Sequence, residues 1–302
     1  MKRKVIQLAH KTLVVSLPSK WVKKYGVSKG GELEVEEKGQ QITFFTEKTT
    51  ERERITIDAG KISESALKRW VLSSLHKSGY DEIEILYKDA KIASAIQQTV
   101  QDMLIGFAVV EQGRERCVIK NVATEQEKEF DTILRRAFLV TKNMGEGISE
   151  YLAENKQAAL GELLVLEKTN NQLTNFCERI LNKKGYKNSS LTCFAYVIVW
   201  NLEKICDHYK DLCRTLGQIK NPGTQIKELI KQANQYFSEY YELFYTFEMD
   251  RLKKLESDRE SIAETARRIM EKGKEEAIAA GCILEFTTKV SDMTASYIAL
   301  NN

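Results

Sequence analysis

Only two prolines occur in 302 residues, Pro18 and Pro222, so the second half of the chain is almost free of the residue that most decisively stops a helix. Long uninterrupted helices are permitted there. From Phe130 onward, strong helix formers and apolar residues at 3.6-residue spacing fill the sequence. Breaks are expected at Lys184-Gly185, Asn221-Pro222-Gly223 and near Gly273. Six helices are therefore predicted, at roughly 126–153, 156–184, 188–217, 223–248, 250–272 and 274–300. The last three superpose weakly on the first three at an offset of about 85–90 residues, with Leu166-Glu167 on Leu255-Glu256 and Asp207 on Asp292. Two three-helix bundles related by duplication are the expected outcome.

The net charge of +3 conceals an asymmetry at the other end. Residues 1–31 carry eight basic side chains, Lys2, Arg3, Lys4, Lys11, Lys20, Lys23, Lys24 and Lys29, and no Asp or Glu, whereas acid appears abruptly at Glu32, Glu34, Glu36 and Glu37. Uncompensated positive charge releases counterions on meeting nucleic acid, which makes phosphate binding the leading expectation, with a solvated lysine-rich surface as the alternative. Val5–Leu8 and Thr12–Leu17, rich in β-branched residues, read as a strand pair. A short helix follows, with Ser19 placed to cap it, Trp21, Val22 and Tyr25 on one side and Gly26 to stop it. Strands at 32–36 and 41–45 are joined by the Lys38-Gly39 turn. About 45 residues hold too little core for a stable monomer, so a partner subunit is expected.

Those residues, RKVIQLAHKTLVVSLPSKWVKKYGVSKGGELEVEEKGQQITF, resemble the SpoVT/AbrB swapped-hairpin domain. The shared marks are the basic start, a strand ending in VVSLP, the WVKKYGV helix and the KGG turn into ELEVEE. Gly31 departs from the family, which often has an acid there. The resemblance implies a homodimer of interlocked hairpins that binds duplex DNA, through Arg3, Lys4, Lys11, Lys20, Lys23 and Lys24.

Between the two ends, Ile55 and Ile57 alternate as a strand, and Ile62, Ala66, Trp70, Leu72 and Leu75 suggest an amphipathic helix ended by Gly79. A strand at 82–87, a helix at 92–104 and a hairpin around Gly113 complete a compact α/β layer. It holds no phosphate loop, metal ligand set or nucleophile and reads as a scaffold. The predicted organisation is thus multidomain α+β: a swapped-hairpin β domain at 1–48, a small α/β linker domain at 49–124 and an all-α pair of three-helix bundles at 125–302.

In the third long helix, Ile198, Leu202, Ile205, Tyr209 and Leu212 form a core-facing seam, and Glu203 and Asp207 lie off it. Their i, i+4 separation stacks two carboxylates on one face, a placement that suits hard cations. Solvated charge with Lys204 and Lys210 nearby is the alternative. Acidic faces recur at Glu256 with Glu260 and at Glu167 with Asn171. The stretch NLEKICDHYKDLC resembles the helix signature of PhoU proteins, phosphate-signalling regulators of two three-helix bundles with acidic multinuclear metal sites. That resemblance implies a divalent metal (Fe, Mn, Zn or Mg) held by Glu167, Asn171, Glu203 and Asp207 in the first bundle and by Glu256, Glu260 and Asp292 in the second. The sequence departs at Asn171 and Thr288, where carboxylates are expected, so each site has one charge fewer. A swapped-hairpin domain followed by a PhoU-like domain is similar in arrangement to archaeal phosphate-uptake regulators.

Composition narrows the functional classes. The longest apolar run, Phe194 to Trp200, is far shorter than the roughly 20 residues a membrane helix needs, so no membrane insertion is expected. Gln7, His10 and Lys11 interrupt any signal-type core, which points to the cytoplasm. Six cysteines without a CxxC pair suggest reduced thiols, and three histidines leave little for zinc or acid–base chemistry. A carboxylate-bridged metalloenzyme would use Glu-x-x-His on facing helices, a spacing that the expected helices lack, so no enzyme is expected. An antitoxin, the other context for the N-terminal domain, does not account for the long remainder. A DNA-binding regulator of phosphate uptake or phosphate signalling is the leading expectation. The alternative is an adaptor docking on a phosphate transporter's ATPase or a sensor kinase, with the N-terminal domain serving to dimerise.

Overall fold

The computed structural model describes residues 1–8, 11–46, 53–123, 129–273 and 275–301. The domain boundaries expected at 48/49 and 124/125, and the helix starts expected at 126 and 274, lie outside the described residues. The fold is mixed α+β, and the chain divides into two compact units, Met1–Glu53 and Arg54–Asn302.

In the first unit, β1 (Val5–Leu8) pairs antiparallel with β2 (Thr12–Val15), and β3 (Glu34–Lys38) with β4 (Gln41–Phe45), as two separate two-stranded sheets. The strand expected at 32–36 begins two residues later, because the ladder closes from Lys38↔Gln41 around Gly39. Helix α1 (Ser19–Lys24) lies between the hairpins. Ser19 does not cap it. The N-cap is Pro18, whose ring-restricted φ of −63° sets the entry and whose carbonyl accepts from the Val22 N–H at 2.9 Å.

The second unit opens with a four-stranded sheet of order β5-β6-β8-β7, comprising β5 (Arg54–Asp58), β6 (Glu82–Leu86), β7 (Phe107–Gln112) and β8 (Arg116–Asn121). The β5–β6 pair is parallel and the others antiparallel. The parallel crossover runs through α2 (Glu64–Ala66), a π-helical turn at Leu67–Val71 and α3 (Leu72–Lys77), and α4 (Ala90–Met103) joins β6 to β7. Ile83, Ile85, Cys117 and Ile119 face Leu67, Leu72, Ile96 and Val100 in one core. Trp70, expected on the buried stripe, is instead 66% exposed. The π turn inserts one residue, so Leu67 and Leu72, five apart, both point inward and Trp70 is carried outward. The opposite face of the sheet carries a cross-strand ladder in which Glu82 and Glu84 of β6 pair with Arg54, Arg116 and Lys120.

Six helices follow: α5 (Phe130–Ala153), α6 (Leu164–Lys184), α7 (Thr192–Leu216), α8 (Thr224–Tyr245), α9 (Met249–Glu271) and α10 (Glu276–Asn301). Helices expected to start at 156 and 188 are preceded by 3₁₀ turns, Gln157–Leu163 and Ser189–Leu191, the second held by Asn188, whose side chain accepts from the Ser190 N–H. Helices α5, α6 and α7 pack on one another, as do α8, α9 and α10, and the two groups meet along α7–α10 and α5–α8. All six share a single core that includes Phe138, Met144, Ile148, Cys206, Phe237 and Phe286. The seam Ile198, Leu202, Ile205, Tyr209 and Leu212 is fully buried within it. Among the described residues, no helix is long and apolar enough to cross a membrane.

Candidate functional site

Two surfaces hold the residues singled out from the sequence. In the first unit, Arg3 and Lys4 lead into β1, Lys11 leads into β2, and Lys20, Lys23 and Lys24 project from α1; all six are exposed. Lys24 Nζ lies 5.2 Å from the Tyr25 ring centre, which fixes one side of the helix beside the Trp21–Tyr25 pair. None of the six makes an ion pair among the described residues. The strands of this unit bury almost nothing. Leu13 is 68% exposed and Ile42 62%, and Val5, Ile6, Leu8 and Val35 are similarly bare.

The second surface lies between α6 and α7, where the structure brings together Glu167, Asn171 and Asp207, with Glu203 one turn away. Lysines complete it. Lys210 Nζ is 2.7 Å from Glu167 Oε1 and also bonds Asp207 Oδ1, while Lys204 Nζ lies 3.2 Å from both Glu203 Oε1 and Asp207 Oδ2. Asn171 donates its amide N–H to Glu167 Oε1 at 2.8 Å. Partial burial opposes the charges of Lys204 and Lys210, but their carboxylate partners outweigh it and hold both ammonium pKa values above the ordinary range. Burial likewise opposes the Asp207 carboxylate, and the hydrogen bond from Lys210 overcomes it and lowers that pKa. In the second bundle, Glu256, Glu260 and Asp292 are exposed; Glu256 is bonded by Arg259 at 2.8 Å and Asp292 by Lys289 at 3.1 Å. Among the described residues, no three His, Cys, Asp or Glu side chains converge so as to hold a metal ion. In the first bundle the donor set does not fit a divalent cation: Glu167 Oε1, Glu203 Oε1 and both Asp207 oxygens already accept from Lys204 and Lys210, which leaves the neutral Asn171 Oδ1 as a buried oxygen without a partner.

A third cluster carries no motif in the sequence. Arg179 of α6, 1% exposed, reaches into the α/β layer, where it donates to the carbonyls of His76 (3.0 Å) and Tyr80 (2.8 Å), pairs with Asp81 and lies over the Phe107 ring. Lys183 bonds both Asp81 oxygens, at 2.7 and 2.8 Å. Asn182 donates to the Lys77 carbonyl, and Lys77 pairs at 2.8 Å with the buried Glu178, whose pKa burial raises. A Cβ at Gly79, where φ is +98°, would sit 2.6 Å from Lys183 Cγ, so the close approach of α6 requires glycine there. Sequence offers no clear signal for this cluster, because α6 is polar along much of its length and Glu178, Arg179 and Asn182 do not stand out on it.

Between α8 and α9 run two adjoining hollows of about 490 and 500 Å³ that share Glu228 and Gln232. Glu239 and Asp258 face each other in the first. Burial opposes both charges, but Lys254 keeps the Glu239 carboxylate low, whereas burial and the hydrogen bond with Glu239 raise Asp258. No protein-family model, curated protein or solved structure matches the chain.

Proposed function

We propose that the protein is a DNA-binding regulator of phosphate uptake or phosphate signalling, a binding protein and not an enzyme. In this reading Met1–Glu53 grips duplex DNA as a homodimer and the helical part, PhoU-like in its arrangement, relays phosphate status. The observation that carries the DNA half is the set of six exposed cations without acidic partners among the described residues, Arg3, Lys4, Lys11, Lys20, Lys23 and Lys24, on α1 and on the segments leading into β1 and β2, strands whose apolar side chains lie bare. Uncovered Leu13 and Ile42 favour burial against a second copy, which would double the basic face. The phosphate half rests on the sequence resemblance. A DNA shift assay at two salt concentrations tests the proposal. Neutralising Lys20, Lys23 and Lys24 to Gln is expected to weaken binding and lower the slope of log affinity against log salt by about 1 for each phosphate no longer neutralised. Unchanged affinity and slope would remove those lysines from the DNA face.

The groove between α8 and α9 favours a second reading, an adaptor that docks on a transporter ATPase or a sensor kinase. The same assay separates the two, since an adaptor with a merely dimerising N-terminal unit shifts no DNA at either salt.

A further inference from the structure

The acidic face between α6 and α7 carries its own cations. Lys210, reaching across from α7, joins Glu167 of α6 to Asp207 of its own helix, and Lys204 joins Asp207 to Glu203. Two ammonium groups therefore serve three carboxylates, and the Asn171 amide turns an N–H donor, not an oxygen, toward Glu167. Part of the pattern recurs at the duplicated position. Asp292, the counterpart of Asp207, is met by Lys289 at 3.1 Å, as Asp207 is met by Lys204 at 3.2 Å, each lysine three residues before its aspartate. Only the lysine–aspartate step recurs; the position matching Lys210 is Ala295, so the bridge between two helices is confined to α6 and α7.

We propose that Lys204 and Lys210 are built-in counter-ions that take the place of a divalent cation on this face, so that α6 and α7 are clamped by side chains of the chain itself and the clamp is insensitive to metal. The inference is independent of the DNA-binding proposal. A tethered ammonium is already held beside its carboxylates, whereas a free cation must give up its translational freedom and its hydration to arrive. A divalent ion would also approach two positive charges at close range, in a half-buried site where screening is weak. Removing the ammonium groups reverses both conditions and leaves Glu167, Glu203 and Asp207 with uncompensated charge.

Melting curves of the full chain in chelator and in excess Mn²⁺, with bound manganese measured by elemental analysis, test this. The wild-type Tm is expected to move by less than ~1 °C and the protein to retain no manganese, because a ligand without a site on the folded state does not shift unfolding. The variant Lys204→Gln with Lys210→Gln is expected to melt lower in chelator and to gain at least ~3 °C in Mn²⁺ while retaining the metal. A wild-type Tm raised by Mn²⁺, with the rise abolished by Asp207→Ala, overturns the proposal. So does a double variant that folds and gains nothing from Mn²⁺. Should the double variant fail to fold, Lys210→Gln alone provides the same comparison, and the wild-type metal content stands as a test by itself.

Discussion

His76 is wholly buried at the end of α3, edge-on to Phe107 with ring centres 4.9 Å apart, and Nε2 meets the Ile105 carbonyl at 3.4 Å. Burial, and then the neighbouring Arg179 charge, lower its pKa from 6.5 to about 3. The native imidazole thus stays neutral at pH values where the unfolded chain takes up a proton. Its contribution to stability is complete above the unfolded pKa and is lost as pH falls through the window from about 6.5 to about 3. At pH 5 the loss amounts to about 2 kcal/mol relative to pH 7. Chemical unfolding at both pH values should show the gap between them narrow by about that amount in His76→Gln; an equal gap in both proteins would mean that carboxylates, not His76, set the acid sensitivity. Exposed pairs on the outer sheet face behave differently. Hydrogen bonds from Arg116, Thr56 and Arg54 hold the Glu84 pKa near about 2, yet solvent screens such pairs, so Arg116→Gln is expected to change stability little.

At the scale of elements, α5, α7 and α8 meet at Gly145. There the Tyr209 hydroxyl donates to Asn234 Oδ1 at 2.6 Å, and Asn234 Nδ2 donates to the Gly145 carbonyl and to Ser149 Oγ. A Cβ at Gly145 would lie 2.5 Å from both Asn234 Oδ1 and the Tyr209 hydroxyl. Gly145→Ala is therefore expected to cost about 1–3 kcal/mol and to lower Tm by several degrees. Gly161→Ala, with nothing within 4 Å of its Cβ, serves as the control and should melt within about 2 °C of wild type. Equal Tm values for the two would refute the crowding at Gly145. The helices themselves are readable from sequence because apolar spacing is a property of consecutive residues, and the same holds for β5 through β8. The acidic face is readable as i, i+4 carboxylates, but Lys204 and Lys210 look like bystanders there because the bond from Lys210 to Glu167 crosses between helices 43 positions apart. Arg179 is opaque for a related reason: two of its partners are the backbone carbonyls of His76 and Tyr80, and a carbonyl leaves no mark on the sequence. The apolar pattern misplaces Trp70 because a single π turn is invisible to a 3.6-residue template.

For the whole molecule, the two units differ in where their stability comes from. Arg54–Asn302 contains both hydrophobic cores, whereas the strands of Met1–Glu53 leave their apolar side chains bare. The three tryptophans report on this division, Trp21 from the first unit and Trp70 and Trp200 from exposed positions in the second. In a Trp70→Phe, Trp200→Phe protein, the Trp21 fluorescence melting midpoint is expected to rise with protein concentration, as mass action requires of a unit stabilised by a second copy. In a Trp21→Phe protein, the signal from the second unit should not respond to concentration. A Trp21 midpoint that ignores concentration would show the first unit to be stable alone. The Arg179 contact also has a consequence in time. Asp81 precedes Arg179 by 98 residues, so at about 5–20 residues per second the ribosome delivers the arginine roughly 5–20 s after the aspartate. During that interval the sheet and α3 can assemble, but the His76 and Tyr80 carbonyls and the Asp81 carboxylate still face water. The α/β layer is therefore made before it can be closed, and waits for α6 to emerge and supply the buried guanidinium.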